Sequence, residues 1–70
     1  MNNIKTIKSQ FAAIAEKVDN EDRLMAAVEF KKHVETINRY LRGEIRKESF
    51  GLKLLGFMKN RIAEREKAIA

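Results

Sequence analysis

Seventy residues without cysteine or proline make one small domain, which buries only about 60% of its unfolded surface and so has a thin core. The missing cysteines exclude disulfide staples and thiolate zinc sites, and they suit the reducing cytoplasm, where this chain is expected. The formal net charge of +5 falls entirely in the second half: residues 1–38 hold six cations and six acids, residues 39–70 nine cations and four acids, and 9 − 4 = 5.

Apolar residues recur three and four apart along the chain, so the fold class is all-α. In the first segment Ile4, Ile7, Phe11, Ile14, Ala15 and Val18 share a sector of about 100°, with Asn2 or Asn3 to cap its start. Lys5 and Lys8 lie off this stripe and interrupt any N-terminal apolar run, so no signal peptide is expected. The cluster Asp19-Asn20-Glu21-Asp22 reads as a break. Asn20 would take the left-handed exit conformation, and the acids would meet the positive end of the next helix.

The second segment keeps Ala27, Phe30, Val34, Ile37, Leu41 and Ile45 on one narrow face. Gly43 is a possible stop. The seam steps from Leu41 to Ile45 in phase, however, which predicts that the helix continues to near Ser49 at a cost of about 1 kcal/mol for the internal glycine. Ser49 would then cap a third helix. That helix is broadly apolar at first (Phe50, Leu54, Leu55, Phe57, Met58) and narrows to Ile62 and Ile69, with Arg61 and Arg65 entering the stripe. Gly51 and Gly56 would permit close helix approach. The cluster Phe50 to Met58 is far short of a membrane span.

These segments predict a single helical domain over 1–70, built as a small antiparallel three-helix arrangement. The seam of Leu55, Met58, Ile62 and Ile69 would run past the end of the short first helix. A second copy is the simplest cover for it, so a homodimer is expected.

Lys31, Lys32, Arg39, Arg42 and Arg46 project within about 100° of one another on a continuous second helix, a row about 21 Å long from Lys32 to Arg46. Such a row suits successive phosphates, each neutralised with release of counterions, and arginine adds a forked donor for phosphate or guanine. A solvated face interrupted by Glu35 is the plainer alternative. No helix-turn-helix spacing is evident, and no aromatic interleaves the row, which disfavours a base-stacking platform. Glu29, His33, Thr36 and Tyr40 would form a polar column on the same helix. Two ligands do not make a metal site, and a locally hydrogen-bonded surface histidine is expected.

No nucleophile–base pair, phosphate loop or paired-carboxylate site stands out. A domain this small is also expected to lack a substrate cleft of roughly 300 Å³ or more. A non-enzymatic binding protein is therefore expected, without cofactor, metal, small-molecule substrate or membrane contact. The first expected partner is nucleic acid, as duplex DNA on the basic face. The alternative is a protein-binding regulator, an inhibitor or adaptor docking an acidic protein through the same arginines or through the Phe50–Met58 helix.

Overall fold

The computed structural model describes the backbone of residues 3–69 and the side chains of residues 4–68. Every described element is helical: α1 (Asn3–Ile14), a 3-10 turn (Ala15–Lys17), α2 (Asn20–Phe30), α3 (Val34–Leu41) and α4 (Glu48–Ile69). Gly51 lies against Ile7, Lys59 reaches Gln10 and Lys17 pairs with Glu66, so α1 and α4 run in the same direction. α2 runs against α4, with Asp22 meeting Arg61 and Phe30 meeting Phe57.

The expected three helices are four, because the second segment is two helices. α2 ends on Lys31, which adopts the left-handed conformation (φ 54°, ψ 46°). Its N–H donates to the Val28 carbonyl at 3.3 Å, and that of Lys32 donates to Ala27 at 3.0 Å, the paired bonds of a Schellman ending. α3 closes the same way: Gly43, at φ 97°, donates to Tyr40 at 3.0 Å and Glu44 donates to Arg39 at 2.9 Å. The helix therefore stops at Leu41 and does not continue to Ser49. Ile45 keeps its apolar role from within the following loop, packed on the core.

Asn20 is the first residue of α2 and not the exit of α1. Asp19 is the N-cap, in a reciprocal capping box with Asp22, so two backbone donors at the helix start are satisfied together. α4 begins at Glu48, which puts Ser49 inside its first turn.

The core draws Ile7 and Phe11 from α1, Ala26 from α2, Ile37, Tyr40 and Leu41 from α3, and Leu54, Leu55, Met58 and Ile62 from α4. Leu55, Met58 and Ile62 are 4%, 0% and 6% exposed. The seam assigned to a partner chain is thus covered by the chain itself, so the reason for a dimer along it disappears. The side chain of Ile69 lies outside the described residues. Gly51 is the close-approach glycine, because a Cβ there would stand 3.3 Å from Ile45 Cγ2 and 3.4 Å from Ile7 Cγ2. A Cβ on Gly56 would meet nothing within 4 Å among the described residues.

Candidate functional site

The α3–α4 connection shapes the basic side of the molecule. Tyr40 is buried in the core with its hydroxyl at the edge, where it accepts a hydrogen bond from the Lys47 N–H at 2.9 Å. That bond fastens the loop of residues 42–47 onto α3. The Tyr40 and Phe50 rings meet edge to face at 4.9 Å, and Lys32 Nζ stands 5.4 Å from the Phe50 centroid, within cation–π range.

Between these parts lies a concavity of about 250 Å³, ringed by the cations Lys32, Arg39, Arg46 and Lys47, with Thr36, Tyr40, Phe50 and Glu44 completing its wall. Glu44 is already shared with Arg42, at 3.5 Å. Arg39, Arg46 and Lys47 make no ion pair among the described residues.

Of the five basic residues singled out in sequence, Lys32, Arg39 and Arg46 come together here, and Lys47 joins them. Arg42 turns to the other side of α3, into an open hollow of about 400 Å³ with Arg23, Asn20 and Asn38. Lys31 borders neither. The 21 Å row does not form, because it needed one helix and the chain breaks at Lys31 and Leu41. The break creates instead what the spacing did not suggest: two helices joined by three residues, Lys31 to His33, the connection length of a helix-turn-helix pair. His33 sits at the start of α3, exposed, its Nδ1 accepting the Glu35 N–H at 3.2 Å. The column of Glu29, His33, Thr36 and Tyr40 is divided by the same break.

A second polar cluster went unrecognised in the sequence. Asp22 is fully buried and accepts from Arg61 Nε at 2.6 Å, from Arg65 Nη1 at 3.0 Å and from the Asp19 N–H at 3.1 Å. Burial pushes its carboxyl up, but the bonds from Arg61, the Asp19 backbone and Arg65 outweigh that and hold it below the ordinary value. The same hydrogen bond holds Arg61 more firmly charged, against the opposing effect of burial. Arg65 also meets Asp19 at 3.4 Å and donates to the Lys17 carbonyl, and Arg61 meets Glu21 at 3.3 Å. The detectable signal was a pair of arginines four apart inside an apolar stripe, matched by acids three apart at a helix start.

The open hollow beside this cluster, about 520 Å³ between Phe57, Asn60, Glu64 and the arginines, exceeds the cleft volume thought out of reach for a chain this small. The Phe50–Met58 segment is mostly interior: Gly51, Leu54, Leu55 and Met58 are buried, and Leu52 is its one exposed large apolar side chain. No helix among the described residues is long and apolar enough to cross a membrane. Comparison with protein-family models, with curated proteins and with solved structures finds no match for this chain.

Proposed function

We propose that this chain is a non-enzymatic binding protein that takes duplex DNA on the α3 side, using Lys32, Arg39, Arg46 and Lys47 against the phosphate backbone. The observation that carries the proposal is the convergence of four cations from the α2–α3 turn, α3 and the following loop on one concavity, none of them with an ion-pair partner among the described residues. Like charges so gathered repel one another, and an anionic ligand removes that repulsion. The short α2–α3 connection adds support, since in such pairs the second helix enters the major groove and flanking cations hold the phosphates. Arg42, on the other flank of α3, extends the contact to a further phosphate.

Three or four phosphate contacts give a log–log salt slope of about −3, at roughly −0.9 per contact. Fluorescence anisotropy with a labelled duplex across a salt series measures it directly. Arg39→Glu and Arg46→Glu should each weaken binding and flatten the slope by about one, while Lys5→Glu on the charge-neutral half has little effect. A chain that binds no duplex at low salt, and whose Arg39→Glu variant loses an acidic protein partner, would transfer the same face to the regulator role.

A further inference from the structure

α2 carries a face that no described residue covers. Its inner side holds Asp22 and Ala26, both fully buried, with Phe30 packed against the core. On the opposite side Leu24, Met25 and Val28 are 52%, 45% and 73% exposed. At 100° per residue these three fall within about 100° of arc, roughly 150° round from the buried side. Three large apolar side chains grouped on one turn of helix make a patch, unlike the scattered exposed apolar residues of an ordinary surface.

We infer that this face is the contact between two copies of the chain, with α2 packed antiparallel on α2 of the partner about a two-fold axis near Ala26. The reason is that the face is complementary to itself. A two-fold centred on position 26 sets each residue opposite the one whose number completes 52. Leu24 then faces Val28 of the other copy, and Glu21, in the first turn, stands opposite Lys31, the left-handed residue that closes α2. The apolar patch is thus flanked at one end by an acid and at the other by a base, and the symmetry brings each to its opposite twice, as an isologous interface requires. Both charges are available. Glu21 is an exposed carboxylate whose ion pair with Arg61, at 3.3 Å, leaves its side chain 79% exposed. Lys31 is exposed, borders no hollow described above and makes no ion pair among the described residues. Lys31 therefore leaves the phosphate-binding set and acquires a different role. The inference does not depend on the DNA proposal, since it uses none of the residues of the concavity.

The patch is about a few hundred Å² per chain, below the roughly 800 Å² per partner of a standard interface, so the association is weak and shows at high protein concentration. Sedimentation equilibrium from micromolar to millimolar protein should show the mass rising from 8.1 kDa toward twice that value. Val28→Asp should abolish the rise without loss of helicity, because the side chain is exposed. Glu21→Lys or Lys31→Glu alone should weaken association about fivefold, since each breaks two symmetry-related surface pairs. An equimolar mixture of those two variants restores both pairs and should associate as well as the parent.

Register is tested by cysteine pairing, which is clean because the chain has none of its own. Leu24→Cys mixed with Val28→Cys under mild oxidation should form the mixed disulfide in preference to either homodimer, whose sulfurs are offset by about 6 Å along the axis. A chain that stays monomeric to millimolar concentration, a Val28→Asp variant that still dimerises, or a statistical mixture of disulfides would overturn the inference.

Discussion

The same residue type plays opposite parts in two regions of the second half. Arg61 and Arg65 on α4 reach across to α2 and close on Asp22, a carboxylate with no exposed surface. Arg39, on α3, and Arg46, in the loop after it, face solvent around a concavity whose one carboxylate, Glu44, is paired with Arg42. By charge count the four are equivalent. What separates them is whether a buried acid lies within reach, and that is set by the antiparallel pairing of α2 and α4. The lesson concerns the +5 charge itself. Part of the cationic excess on α4 is absorbed by acids of the neutral half, whereas Lys32, Arg39, Arg46 and Lys47 on the α3 side have no ion pair among the described residues.

The largest effect is expected at the centre of the clamp. Asp22→Ala leaves the two guanidiniums with only the more exposed Asp19 and Glu21 and removes half of a capping box. Breaking a buried pair typically costs 3–5 kcal/mol, and the partial exposure of both arginines reduces this to about 2–4 kcal/mol. Urea unfolding followed by circular dichroism measures it, and a change under about 0.5 kcal/mol would erase the distinction between the two arginine pairs. The clamp also has a pH signature. Because the folded carboxyl titrates below its unfolded value, its contribution is complete above about pH 4 and is lost as pH falls through the lower folded value. Asp22→Asn should therefore unfold less steeply with acid than the parent, from a lower starting stability.

Next in size is Gly43→Ala. A side chain at φ 97° is strained, and the added Cβ would stand 2.9 Å from Lys8 Cγ and Cε. The expected cost is about 1–2 kcal/mol, with duplex binding weakened as the loop carrying Arg46 shifts. The clamp should keep its acid profile. Lys31→Gly works in the other direction, relieving a left-handed lysine for a gain of up to about 1 kcal/mol. Arg39→Glu should lower duplex affinity about tenfold, near 1.4 kcal/mol, and leave the melting temperature within a few degrees. Smallest is Gly56→Ala, where open space surrounds the new methyl. A gain of up to about 1 kcal/mol should leave both arginine pairs untouched, and a loss would mean that α4 needs a closer neighbour there.

Helical class and most of the core were legible from periodicity, because Ile7, Phe11, Ile37, Leu41, Leu54 and Met58 keep helical phase whatever happens between them. The break at Lys31 was not legible. Phe30, Val34, Ile37 and Leu41 remain in phase across it, and a lysine in place of glycine hides the left-handed turn. The basic site suffered from the same error, since a row drawn on one helix included Lys31 and Arg42 and left out Lys47. Lys47 is brought in by the Tyr40 hydroxyl, a contact that exists only once the loop has folded back. Asp22 was concealed differently: at a helix start an acid reads as a partner for the helix dipole, and nothing local indicates burial.

The most direct test of the division between the arginines is a paired measurement on two double variants, Arg39→Gln with Arg46→Gln and Arg61→Gln with Arg65→Gln, taking melting temperature and low-salt duplex affinity for each. The account predicts that the first keeps its melting temperature within a few degrees and loses most of its affinity. The second should fall by about 8 °C or more, at 4–8 °C per kcal/mol for a chain this size, while binding normally where it is still folded. Loss of affinity in the second pair with none in the first would contradict it.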